Sequence, residues 1–233
     1  MTIALIAANV IVYLIAIGSG GSILGGPSAQ TLIHFGAVPY EFTHPSSHCD
    51  LAAAGFSRAI LCTGGRGVIG SAFAQPPTWT TAFTSMFLHA KLVELAGNMV
   101  VLGVLGSTLE DRIGRLRFLG FYILGGLAAL ALAIVASPSS TAPALGASGA
   151  IAAVLGGYVV LLGRARVLVL AVVRAVELPA WAVAVLWLIF DAVAGALGVW
   201  THLGSGVAYY AHLGGFAFGL LAVRSFAHAR ERD

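Results

Sequence analysis

The chain has 233 residues, 59% of them hydrophobic and only 9% charged, against roughly a quarter charged in an ordinary soluble domain. That composition, with a mean hydropathy of +0.95, excludes a soluble globular or disordered protein and points to a polytopic membrane protein. The net charge of +3 reflects loop arginines, and no basic cluster with interleaved aromatics suggests nucleic acid.

A span needs about 20 mostly apolar residues, and its backbone polar groups must be satisfied internally, which favours helices. The first candidate runs from Thr2 to Ile17; lacking a positively charged start, it reads as a retained span and not as a cleaved signal peptide. A segment from Gly18 to Thr80 follows. It is punctuated by Gly and Pro and too apolar for simple disorder, so it is expected to pack onto the bundle or dip into the bilayer interface. Further spans are expected over Thr81 to Leu105, interrupted by His89, Lys91, Glu94 and Asn98, then Phe118 to Val135, Ala144 to Leu162, Leu178 to Leu197 and Gly206 to Phe226. The fold class is therefore an all-α membrane protein, a six-helix transmembrane bundle forming one domain over residues 1–233.

Short cytoplasmic loops carry an excess of Arg and Lys. Arg112, Arg115 and Arg117 lie between spans two and three, Arg164, Arg166 and Arg174 between four and five, and Arg224, Arg230 and Arg232 in the tail. Both termini should therefore be cytoplasmic and the segment 18–80 outside. Cys49 and Cys62 fall in that segment, where a disulfide and two free thiols are both open readings. His44 and His48 beside them match no standard zinc spacing, so no metal is expected. Lys91 is the only lysine, and the Ala, Gly and Val richness suggests a bacterium of high genomic GC and thus its plasma membrane.

Polar groups at bilayer depth mark function by default. Ser148 stands in Gly146-Ala147-Ser148-Gly149 on the fourth span, and His212 in Ala211-His212-Leu213-Gly214-Gly215 on the sixth. A serine attacks an amide only if a base accepts its proton, and a histidine can do so without a carboxylate if packing orients the ring. Gly149, Ala153 and Gly157 on span four and Gly215 and Gly219 on span six recur every four residues, a pattern that lets helices approach closely. The pair would then come within hydrogen-bond reach. Gly146 suits close approach of substrate to the backbone, and the Ser148 N–H is free to donate at the helix start.

Taken together, Gly-Ala-Ser-Gly-Ala-Ile at 146–151 and Ala-His-Leu-Gly-Gly at 211–215 resemble the signatures of rhomboid intramembrane serine proteases. The resemblance extends to Ser85-Met86-Phe87-Leu88-His89, Gly97-Asn98-Met99, Leu109-Glu110-Asp111-Arg112-Ile113-Gly114, Tyr122 and, more loosely, His34-Phe35-Gly36-Ala37-Val38-Pro39. It implies a cofactor-independent serine endopeptidase with a Ser/His dyad in a water-accessible cavity opening outward, acting on single-pass transmembrane proteins in the lipid bilayer. In that family the second span holds a histidine, a second histidine five residues later and an asparagine four beyond. The latter two help bind the oxyanion. His89 matches the first position and Asn98 the asparagine, whereas Glu94 stands where the second histidine would be.

An ionised Glu94 would repel the oxyanion, and losing one donor typically costs on the order of 10²-fold in rate. A protonated Glu94 would donate instead, because desolvation disfavours the charged form. Alternatively it turns toward the headgroups and pairs with Lys91. An inactive relative that binds transmembrane clients is the alternative function, and a transporter with His212, Asp191 and Glu94 as a proton path is a third, weakened by the absence of an internal repeat. Asp191 on span five should face an aqueous path or be protonated, and could line a substrate gate. Glu110, Asp111, Arg112, Arg115 and Arg117 are read as fixing loop conformation, His202 as solvated, and Trp79, Trp181, Trp187 and Trp200 as interfacial anchors or lipid-facing bulk.

Overall fold

The computed structural model describes residues 1–54, 57–62, 76–171, 174–196 and 207–227. Helix α1 (Thr2–Gly18) buries Leu5, Asn9, Tyr13 and Ala16, a stripe at helical spacing, and leaves Ile3, Ile11 and Ile15 exposed. Its start is anchored by Glu110, which accepts from the Thr2 N–H at 2.6 Å and the Thr2 hydroxyl at 2.8 Å. Near its end the Tyr13 hydroxyl donates to the Ile23 carbonyl at 2.7 Å.

The described parts of the segment 18–80 fold onto the helices. Hairpin β1 (Gly21–Ser22) and β2 (Gly26–Pro27) leads into α2 (Ala29–Phe35), capped by the Ser28 hydroxyl, which accepts from the Thr31 N–H. Short α3 (Pro39–Thr43) precedes an antiparallel hairpin of β3 (Cys49–Ala54) and β4 (Ser57–Cys62). A Cys49–Cys62 disulfide closes that hairpin. The segment packs onto the bundle: Ala37 and Ala144 exchange two backbone bonds of 3.0 and 2.8 Å, and the Tyr40 N–H donates to the Ser140 carbonyl at 3.0 Å.

The stretch expected as one span from Thr81 to Leu105 is two helical pieces. Helix α4 (Thr78–Thr84) runs into a 3₁₀ turn at Ser85–Phe87, and the chain then breaks. Helix α5 (Leu92–Val101) starts after Lys91, whose φ of −146° and ψ of 154° are extended. A π turn (Leu102–Gly106) carries α5 into α6 (Ser107–Ile113). The break has a physical cause: Glu94, in the first turn of α5, bends its carboxylate back to accept the Ala90 N–H at 3.0 Å, satisfying a donor that the helix cannot.

Helix α7 (Arg115–Ala136) follows a turn at Gly114, whose φ of 88° suits glycine. Helix α8 (Ser148–Leu162) begins later than the expected Ala144, because Ala144 is committed to extended pairing with Ala37. Where a plain cytoplasmic loop was expected, β5 (Arg166–Ala171) and β6 (Arg174–Pro179) form a third hairpin, and α9 (Ala180–Ala196) starts only after Pro179. Helix α10 (Val207–Phe226) is the last among the described residues. The three short hairpins are additions to a predominantly helical fold.

Leu92–Ile113 and Arg115–Ala136 are each 22 residues long and apolar enough to cross a membrane; Thr2–Gly18, Ser148–Leu162 and Ala180–Val193 are shorter apolar helices. The core lies where α7, α8 and α10 meet, around fully buried Phe118, Phe121, Tyr122, Val154 and Val223. Outward faces are apolar too, with Leu116, Leu124, Val135, Leu186, Phe190 and Leu221 exposed. Such a surface in water would be an association liability, and in hydrocarbon it is simply solvated.

Candidate active site

Close approach of α8 and α10 builds the site. A Cβ on Gly215 would be driven into the Gly149 carbonyl, and one on Gly219 into the Ala153 carbonyl. These contacts follow the four-residue spacing, with the Gly157 N–H also against Gly219; a Cβ on Gly156 would strike the α10 backbone, whereas one on Gly157 would meet Phe121 and Val223. With the backbones in contact, the His212 Nε2 lies 2.8 Å from the Ser148 Oγ.

Ser148 is the first residue of α8, and the turn that presents it needs Gly146, whose φ is 104°. The Gly146 N–H is held by the Ser85 carbonyl at 2.9 Å. The segment after α2, through Ala37 and Ala144, and the 3₁₀ turn, through Ser85, therefore fix the loop that aims the hydroxyl. At the helix start the Ser148 N–H has no intrahelical partner and points where negative charge is best accommodated.

On the other side of Gly146 stand the polar residues of α5. A Cβ built on Gly146 would lie 2.7 Å from the Glu94 Oε1, 3.6 Å from the Ser148 Oγ and 3.9 Å from the Asn98 Nδ2, so these groups line one small space. Asn98 donates to the His89 Nε2 at 3.0 Å, and the His89 Nδ1–H points at the Phe87 carbonyl, 3.3 Å away. His89, fully buried, thereby sets which way the amide faces. Among the described residues Glu94 makes no ion pair with the Lys91 ammonium; its carboxylate bonds the backbone before α5, one oxygen accepting the Ala90 N–H, and the other faces Gly146. The alternative of a headgroup-facing Glu94 is thus replaced by a carboxylate inside the site.

Two residues acquire contacts that composition and spacing did not assign. Asp191, read as a gate-lining or water-facing group, is 2% exposed, and its Oδ1 lies 2.9 Å from the His212 Nδ1. The contact is an ion-pair distance and not a formed hydrogen bond: the His212 Nδ1 and the Asp191 Oδ2 are both buried without a hydrogen-bond partner among the described residues. Trp187, read as an anchor or lipid-facing, packs on the His212 ring with centroids 5.1 Å apart. The available signal was positional: Ala180, Ala184, Trp187 and Asp191 recur at helical spacing, with both alanines buried. Trp79 and Trp181 are exposed. His202, Trp200, Arg230 and Arg232 lie outside the described residues. Glu110 performs a joining role through Thr2 and sits 3.8 Å from Arg115. Among the described residues no three His, Cys, Asp or Glu side chains converge as a metal-binding group.

The arrangement offers a hydroxyl with a base beside it, and amide donors facing a shared space. A family model described as Rhomboid domain matches residues 76–228, which include all of these groups. No curated protein matches the chain.

Proposed function

This chain belongs to the rhomboid family, and on that premise we propose that it is an intramembrane serine protease cleaving single-pass membrane proteins in or near their transmembrane segments. The observation that carries the reading is the 2.8 Å contact between Ser148 Oγ and His212 Nε2, at hydrogen-bond length for proton transfer. His212 takes the hydroxyl proton as Ser148 attacks the scissile carbonyl. The tetrahedral oxyanion is held by the Ser148 N–H and the Asn98 amide, which His89 orients. Collapse expels the amine, to which His212 returns the proton, and water then hydrolyses the acyl ester by the same route. A peptide bond in an intact helix is shielded, so the substrate unwinds locally first.

The family consists of integral membrane proteins, and the exposed apolar faces are in keeping with lipid as the solvent. We place six spans in the plasma membrane of a bacterium, with both termini cytoplasmic and the site opening outward, on the arginine distribution. One observation favours a second reading, an impaired relative that binds transmembrane clients: the Glu94 carboxylate faces the space the oxyanion would enter. The deciding experiment incubates the purified protein in detergent or vesicles with fluorescent transmembrane peptides, comparing wild type with Ser148→Ala and His212→Ala. Cleavage abolished by both changes supports the protease; client binding without cleavage in all three supports the alternative.

A further inference from the structure

We propose that Asp191 is a positioning residue for His212, making the pair of Ser148 and His212 a three-membered relay that includes α9; this rests on the protease reading. The carboxylate lies 2.9 Å from the Nδ1 of the ring whose Nε2 faces Ser148 at 2.8 Å. An imidazole nitrogen beside a carboxylate keeps its proton, because the acceptor-only oxygen stabilises N–H and repels a lone pair. With the proton on Nδ1, the Nε2 carries the lone pair that must accept from Ser148. The carboxylate is buried, and His212 is the one charged or titratable partner it has among the described residues. A buried carboxylate is costly unless paired, so the placement argues for a specific partnership and not for a solvated group.

The same helix holds the ring in a second way. Trp187 is one turn before Asp191, and its indole packs on the imidazole, so a single face of α9 sets both the tilt and the tautomer of the base. In the proposed cycle the imidazolium formed when Nε2 takes the serine proton is stabilised by the same carboxylate. The proton returns from Nε2 to the leaving amine while the Nδ1–H is retained.

The test is Asp191→Asn, whose amide can donate to Nδ1 and reverse the tautomer. Two readouts are needed: kcat and KM on a cleaved transmembrane peptide, and the nitrogen-15 resonances of the His212 ring in full-length protein. The expected result is a kcat lower by about 10²-fold or more with KM little changed, and a Nδ1 resonance that moves from the protonated to the unprotonated range. Asp191→Ala should also lose kcat and regain part of it when formate is added, which a purely structural defect would not show. Identical tautomers in wild type and Asp191→Asn, or unchanged kcat, overturn the inference alone. A wild type with no Ser148-dependent cleavage overturns the protease reading and this role with it.

Discussion

Gly149 on α8 and Gly215 on α10 touch backbone to backbone, leaving no room for a side chain at 215. This contact sets the distance between the helices next to Ser148 and one turn beyond His212. Gly215→Val should part the helices, lower thermal stability by about 1–3 kcal/mol and abolish cleavage. Gly97→Ala, whose added Cβ would meet nothing within 4 Å, should leave both unchanged. Melting curves and peptide cleavage of the two variants check this pair of outcomes.

Glu94 does two things at once: it caps α5 through the Ala90 N–H and turns its second oxygen toward Gly146. Glu94→Gln keeps an acceptor for the cap and replaces the facing oxygen by an N–H donor. It is expected to raise kcat by about tenfold, because an N–H donor is then present at the oxyanion at every pH. Glu94→Ala removes the cap and should lower stability by about 1 kcal/mol. A Gln variant slower than wild type would mean that the protonated carboxyl is itself the donor.

The Cys49–Cys62 disulfide closes a hairpin with a sequence separation of 13, and the hairpin leans on α2 through Gln30, which donates to Asp50 at 2.6 Å. Replacing both cysteines by serine should cost about 3 kcal/mol, read as a lower midpoint of unfolding. The kcat should stay near wild type, since the loop aiming Ser148 is tied through Ala37 and Ser85 instead.

Glu41, on α3, is buried and accepts the Cys49 N–H at 2.6 Å. Burial pushes its carboxyl above the ordinary carboxylate value, against the lowering pull of that N–H and of His48 and His34. The folded state therefore holds the proton more tightly than the unfolded one. Its contribution to stability is fully present below the unfolded value, about 4.3, and is lost as pH rises through the folded value. Glu41→Gln keeps an acceptor for Cys49 without that loss. It should melt within error of wild type at low pH and a few degrees higher at pH 7.5, measured by thermal unfolding across the range; equal midpoints at both ends would contradict it.

Ser148 and His212 were legible in the sequence because the small residues around them state their own reason, close approach of two helices, and that reason does not depend on distant parts of the fold. The apolar lengths of α1, α7 and α10 were legible for the same local cause. The break between Phe87 and Leu92 was not: hydropathy averages over a window, while the break is set by where Glu94, His89 and Asn98 find partners. Asp191 escaped assignment because its partner depends on the rotation of α9 about its axis, which helical spacing constrains only once the inward face is known. The β5–β6 hairpin was hidden because its arginines, Arg166 and Arg174, marked the stretch as a loop, while the strand pairing of Val167 with Leu178 and Val169 with Val176 depends on partners across the turn.

The central claim is that His212 activates the Ser148 hydroxyl. Reaction of the membrane-embedded protein with a fluorophosphonate, followed by intact-mass and peptide mapping, tests it most directly. One adduct, located on Ser148 and lost in His212→Ala, is the predicted result. No adduct, an adduct on another residue, or equal labelling of Ser148 in the His212→Ala variant would contradict it.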